Sequence, residues 1–221
     1  MRRVLLLVEG QTEEAFVRRV LQPHLWPLAV DAQATMVFTS RAQGRRAHRG
    51  GVTTYERIRK DVDLLLHSRP DAVTTLFDVY AFPKDMPGYP YPWPAGTEAR
   101  VAGLTAAFEA DVNDRRFFAG FIAHEFEGLL FTAPAALAEA VETDTQARTR
   151  LAAALAEVRR AFPSPEDIDD GAETAPSKRL LALCAWNKVL HGPEVAGAIG
   201  LAAIRQACPL FSAWLARLEN V

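Results

Sequence analysis

The sequence predicts an α/β fold: a four-stranded parallel sheet flanked by helices over about residues 1–131, with an all-helical region over 132–221 packed on it. Three observations carry this. Short apolar runs alternate with helical patterns as far as Phe131. Carboxylates stand where three of those runs end, at Glu9, Asp78 and Glu125/Glu127. From Pro134 onward the chain is Ala-rich and no further strand pattern occurs.

The first strand is Val4-Leu5-Leu6-Leu7-Val8, too short for a helix and apolar at every position, as in a central strand buried on both faces. Glu9 ends it. Gly10 then offers backbone angles closed to other residues, and Thr12 is read as the N-cap of a helix. Glu13 and Glu14 suit the positive end of that helix dipole, and Phe16, Val17, Val20 and Leu21 supply its apolar face. Pro23 is expected to close it. Glu9 thus stands at the mouth of a strand–turn–helix, where open α/β sheets bind ligands.

Residues 34–39 read as the second strand. The Arg- and Gly-rich segment that follows contains Arg41, Gly44, Arg45, Arg46, His48 and Arg49. Between positions 41 and 60 there are seven Arg or Lys and a single acid, Glu56, in a chain whose net charge is −2. Such a segment contacts phosphates through the forked Arg donor, or is a solvated charged loop; the accessible Gly backbone favours phosphate. Tyr55, Ile58, Val62, Leu65 and Leu66 lie at helical spacing after it.

Residues 72–77 form the third strand, ended by Asp78. Prolines at 83, 87, 90, 92 and 94 exclude helix and central strand, so a loop is expected there. Its aromatics, Tyr89, Tyr91 and Trp93, could stack on bases but are read as packing the loop down. Thr97 opens a helix carrying Val101, Leu104 and Phe108. Residues 117–123 are the fourth strand, and His124-Glu125-Phe126-Glu127 stands at its end. His124 is read as supporting the carboxylates. Candidate helices cover 134–142, 146–161, 178–190, 194–206 and 209–219. Lys178 and Arg179 open one of them, against its dipole, which points to an anionic partner or else to a solvated loop end.

Composition narrows the function. The near-neutral charge gives no global argument for nucleic acid or membrane, and no apolar run reaches the roughly 20 residues that span a bilayer. Arg2 and Arg3 precede an apolar run that stops at Glu9, too short for a signal peptide, so a cytoplasmic chain is expected. Cys184 and Cys208 read as reduced, buried thiols. With right-handed crossovers, all the strand ends lie on one edge. Carboxylates meeting there without a Cys or His cluster suit Mg²⁺ or Mn²⁺, and beside a basic loop they suit phosphoryl transfer or phosphodiester hydrolysis. Glu13, Glu14 and Asp85 are read as capping or ion-pairing acids.

These residues carry a resemblance. Val8-Glu9-Gly10-Gln11-Thr12-Glu13, followed by Leu76-Phe77-Asp78, resembles the Toprim fold of topoisomerases, bacterial primases and OLD-family (overcoming lysogenisation defect) nucleases. It is more similar still to a Toprim-like family of bacterial mobile and defence loci. That family shares the opening motif, Phe-Asp-x-Tyr at 77–80, His-Glu-Phe-Glu at 124–127 and Ala-Pro-Ser-Lys-Arg at 175–179. The resemblance implies a Mg²⁺- or Mn²⁺-dependent nuclease, or nuclease subunit, in phage or plasmid defence. It implies Glu9 as general acid/base or metal ligand and Asp78 as metal ligand; with the nearby Glu125 and Glu127 the expected catalytic residues are Glu9, Asp78 and Glu127, and the expected metal ligands Glu9, Asp78, Glu125 and Glu127. Arg41, Arg45, Arg46, Arg49, Lys178 and Arg179 would then contact DNA or RNA. It further implies an ABC-type ATPase partner, and leaves self-association open. The sequence departs from the pattern at Tyr80, where Toprim enzymes carry a second Asp, so Glu127 or Glu125 is expected to replace it. Two alternatives stand beside the nuclease: a non-catalytic Toprim-like subunit of an ATPase complex, and a small-nucleotide phosphohydrolase.

Overall fold

The computed structural model describes residues 1–37, 54–87, 89, 96–168, 171 and 173–221. Arg41, Arg45, Arg46 and Arg49, the end of the expected second strand, and Tyr91 and Trp93 lie outside the described residues.

The sheet is parallel throughout, as expected. Strand β1 (Arg2–Val8) pairs with β2 (Val30–Met36) on one side and β3 (Ala72–Asp78) on the other. Strand β4 (Phe117–Phe118) continues the sheet beyond β3, and β5 (Phe121–Ile122) pairs with β3 further along. The order β2-β1-β3-β4 puts the chain's reversal between β1 and β3. Their carboxyl ends flank the crevice where such sheets bind ligands.

Side-chain alternation explains why β1 is central. Val4, Leu6 and Val8 join the core on one face, and Leu5 and Leu7 join the core on the other. The second face is covered by α3 (Tyr55–His67) and α4 (Thr97–Val112), through Ile58, Val62, Leu104 and Phe108. The first is covered by α1 (Gln11–Phe16), α2 (Gln22–Leu25) and the carboxy-terminal helices. These are α5 (Phe126–Leu130), α6 (Pro134–Val141), α7 (Thr145–Arg160), α8 (Pro176–Leu183), α9 (Lys188–Ile199), α10 (Leu201–Ala207) and α11 (Pro209–Glu219). Their Leu137, Leu155, Leu180, Val195, Ile204 and Leu215 share one core with Val4 and Leu6. Trp214 ties α11 to the sheet by donating from Nε1 to Thr74 Oγ1 at 3.0 Å. The buried Glu166 carboxylate accepts the backbone N–H of Leu210 and Phe211 at 2.9 and 2.8 Å, capping the start of α11.

Several boundaries differ from the sequence expectation, each for a local reason. Pro23 does not close the first helix. A π-turn over Val17–Leu21 precedes it, and α2 and a 3₁₀ turn over Trp26–Leu28 continue the chain. Such a turn accommodates the hydrogen bond that proline cannot donate. Strand β2 starts at Val30, earlier than expected, because it pairs along the whole of β1 from Arg2↔Val30 onward and turns Val30, Ala32 and Ala34 to the core. The fourth strand is split. Gly120 N–H donates to Thr75 Oγ1, and that hydroxyl donates to Gly120 O, both at 2.9 Å, so a side chain interrupts the ladder. The expected helix over 178–190 is two, α8 and α9, broken at Cys184–Asn187, and Pro193 lies inside α9. Thr54 stands at the N-cap of α3, but Asp85 caps that helix by accepting Tyr55 N–H at 3.1 and 3.3 Å. Tyr89 packs against the second core. Among the described residues no helix is long and apolar enough to cross a membrane.

Candidate functional site

The site forms where β1 and β3 end. After Val8 the chain passes through Glu9 and Gly10 and enters α1 at Gln11. Gly10 adopts extended backbone (φ −158°) that any residue could take, contrary to the expected special conformation. It, rather than Thr12, occupies the N-cap position. Thr12 is instead buried inside α1. One turn into that helix, Glu13 points back toward the strand ends and is 3% exposed. Asp78, 4% exposed, closes β3. Its backbone lies close enough to the Glu9 carboxylate to favour the ionised form. Glu127, 1% exposed, reaches in from the first turn of α5.

A lysine stands among them. Lys188 Nζ is 3.4 Å from Glu13 Oε1, 3.2 Å from Asp78 Oδ2 and 3.5 Å from Glu127 Oε2. Its position is built by the break between α8 and α9. Asn187 caps α9 by accepting Leu190 N–H at 3.2 Å, which makes Lys188 the first helical residue. Next to it Trp186 donates from Nε1 to Glu127 Oε1 at 3.3 Å. One turn further on, Gly192 lets α9 lie close against α1, since an alanine Cβ there would meet Thr12 Cγ2 at 3.0 Å and Phe126 Cε1 at 3.2 Å.

Three buried carboxylates and the half-buried Glu9 therefore face one ammonium whose side chain is 36% exposed. Burial, reinforced by the charge of Glu13, pushes the Glu9 carboxyl up to about 7 against the pull of Lys188. Burial drives Asp78 well above the usual carboxylate range despite Lys188, and raises Glu127 likewise. For Lys188 burial acts downward, but Asp78, Glu127, Glu13 and Glu9 outweigh it and hold the ammonium charged. Four buried carboxylate oxygens of the cluster, Glu9 Oε2, Glu13 Oε1, Asp78 Oδ1 and Glu127 Oε2, have no hydrogen-bond partner among the described residues; those of Glu13 and Glu127 are ion-paired with Lys188, which leaves Glu9 Oε2 and Asp78 Oδ1 open. Buried polar atoms are nearly always paired, so such a pair of orphans marks a place for a ligand. As the side chains stand, no group of three or more His, Cys, Asp or Glu among the described residues is arranged to hold a metal ion.

Of the residues singled out from sequence, Glu9, Asp78 and Glu127 come together here. Glu125 does not join them. Its carboxylate accepts Ser177 N–H at 2.8 Å and the Ser177 hydroxyl at 3.0 Å, binding the start of α8 to the start of α5. His124 is buried at the β5–α5 junction, and its carbonyl accepts Tyr80 N–H at 3.4 Å. The Tyr80 side chain is exposed. Lys178 is exposed on α8, whereas Arg179 donates to Thr174 O at 2.6 Å and lies over the Phe162 ring. Sequence reasoning gave Glu13 to the helix dipole and did not single out Lys188. The signal for the lysine is a helix that opens Asn187-Lys188, with a cation at the end its dipole disfavours.

The comparisons with known proteins are sparse. A family model described as "Domain of unknown function (DUF4276)" matches residues 8–219. No curated protein matches the sequence. Among solved structures, the C-terminal region of the Burkholderia pseudomallei OLD protein aligns over 97% of this chain and 99% of its own, at 15% identity and a TM-score of 0.39.

Proposed function

The chain belongs to the DUF4276 family, a domain of unknown function, and from that premise we propose that it is a Mg²⁺- or Mn²⁺-dependent phosphodiesterase of Toprim type acting on nucleic acid. The observation that carries the reading is the cluster of Glu9, Glu13, Asp78 and Glu127 around Lys188 at the sheet's switch point, with buried oxygens left open on Glu9 and Asp78. The donor set is all oxygen, which fits a hard divalent cation. Glu9 and Asp78, which carry the open oxygens, would hold it. Bound there, the ion would lower the pKa of its water and neutralise charge on the phosphate oxygens.

The chain's own groups do the rest. The Glu9 oxygen that does not hold the ion is suited to take the proton of the water that attacks phosphorus. As that oxygen bonds to phosphorus the ester P–O bond breaks, and the departing oxygen takes a proton from solvent. Lys188 holds Glu13, Asp78 and Glu127 together so that the acidic site is formed before substrate arrives. A polymeric substrate is supported by the Arg-rich sequence over 41–49. Val37, the last described residue before it, donates its N–H to Val8 O at 3.0 Å, one residue short of Glu9.

The test is cleavage of plasmid DNA, RNA and mononucleotides with Mn²⁺ or Mg²⁺, comparing the wild type with Glu9→Gln and Asp78→Asn. Chelator-sensitive cleavage of a polymer, reduced at least about 100-fold in each variant, is expected. One observation favours a second reading, a nucleic-acid-binding subunit without chemistry. Lys188 already neutralises part of the cluster, and Tyr80 replaces the second Asp of the Toprim pattern. Binding of a polymer without cleavage of any substrate would establish that reading instead.

A further inference from the structure

We propose that Lys188 is the fixed cation of this site, filling the charge-neutralising place of a second divalent ion, so that the chain binds one divalent cation on the Glu9–Asp78 side. This rests on the metal-dependent reading above.

The cluster is divided in two by its own contacts. On one side the ammonium touches Glu13 Oε1, Asp78 Oδ2 and Glu127 Oε2, one oxygen from each of three separate elements. On the other side Glu9 Oε2 and Asp78 Oδ1 are buried and have no hydrogen-bond partner. Asp78 thus meets the ammonium with one oxygen, while its other oxygen is buried and unpartnered. Two-metal phosphoesterases place their ions roughly 3.5–4 Å apart and let a carboxylate bridge them. Here a single bridging carboxylate has a lysine on one oxygen and an open place on the other.

The lysine is anchored as a structural cation is. Asn187 fixes it at the first turn of α9, Trp186 beside it is held by Glu127, and Gly192 seats the helix on Thr12 and Phe126. A cation at a helix amino terminus is disfavoured by the helix dipole, and the facing carboxylates offset that. Ammonium–oxygen contacts of 3.2–3.5 Å also hold Glu13, Asp78 and Glu127 wider than a metal would, since Mg–O distances are about 2.0–2.1 Å. That spacing accounts for carboxylates that gather without forming a ready metal cage.

Counting Mn²⁺ per full-length chain, by equilibrium dialysis with electron paramagnetic resonance of the free ion, tests this. The wild type and Lys188→Arg are expected to bind one Mn²⁺, weakened at least about tenfold by Asp78→Asn, and Lys188→Met is expected to bind two. Two Mn²⁺ in the wild type, or one in a folded Lys188→Met, overturns the proposal. No Mn²⁺ uptake by any form overturns the metal-dependent reading itself, an outcome distinct from a count of two. Wild-type protein alone gives a second measurement should Lys188→Met not fold. Under reductive methylation Lys188 should stay several-fold less reactive than exposed Lys84, with and without Mn²⁺. A rise in Lys188 labelling on adding Mn²⁺ shows displacement by the metal and overturns it.

Discussion

Two acids separated by one residue, Glu125 and Glu127, have opposite fates, and the reason is where α5 begins. Glu125 is the extended residue before the helix and Glu127 lies in its first turn, so their side chains diverge. In sequence both readings were open, because two residues apart means one face in a strand and different directions in a helix. The structure gives Glu127 to Lys188 and Trp186, and gives Glu125 to Ser177. Glu125→Ala removes two acceptors from the start of α8. It should lower stability by about 1–2 kcal/mol in urea unfolding while leaving Mn²⁺ affinity within about threefold. A loss of Mn²⁺ binding equal to that of Asp78→Asn would return Glu125 to the ligand set. Glu9 and Asp78 were legible because each follows an apolar run directly. Lys188 was not, because it lies 110 residues from Asp78 and no local pattern links them.

Helix α9 is the element that turns a carboxylate cluster into a site, and its two interior glycines separate positioning from helix propensity. At Gly192 an added Cβ would press on Thr12 Cγ2 at 3.0 Å and on the Phe126 ring at 3.2 Å, between buried groups that have little room to give. At Gly197 the nearest atom is Val20 Cγ2 at 3.7 Å, an ordinary contact on an exposed position. Gly192→Ala should therefore destabilise by about 1–3 kcal/mol and, by lifting Lys188 one turn away, reduce cleavage beyond what partial unfolding explains. Gly197→Ala should stabilise by about 0.5–1 kcal/mol with cleavage unchanged. Thermal melts and single-turnover cleavage read both. A destabilised Gly197→Ala, or a Gly192→Ala with wild-type stability, would show that α9 does not approach α1 as described. Element types were well read from sequence, since β1 and β3 are short unbroken apolar runs and α3 carries a clear helical period. The breaks were not. Thr75 interrupting the β4–β5 ladder, the π-turn before Pro23 and the Cys184–Asn187 gap depend on side-chain contacts and caps that hydrophobic period does not encode.

Across the whole molecule the buried acids set how stability depends on pH. Glu9 is raised to about 7, and Asp78 and Glu127 are raised as well, each foremost by burial. A carboxyl raised in the folded state favours folding while protonated. Its contribution is full below the unfolded value near 4.5 and is lost as pH climbs through about 7. Acids shifted the other way act elsewhere. Asp114, held at about 2 by Arg116, gains its stabilisation between that value and its ordinary value of 3.8, so the gain is complete before pH 5. The Lys188 ammonium stays charged throughout and adds no slope. Metal-free protein should therefore melt lower as pH rises from 5 to 8, by on the order of 5 °C. Glu9→Gln, which cannot ionise, should flatten that fall. Mn²⁺ should reverse it, because the ion binds the ionised carboxylates and so supplies stability where the chain alone loses it. A melting temperature that rises with pH in chelator would mean that the acids are already neutralised by something other than Lys188. A fall that Mn²⁺ leaves unchanged would mean that the strain of gathering these carboxylates serves the fold and not a metal.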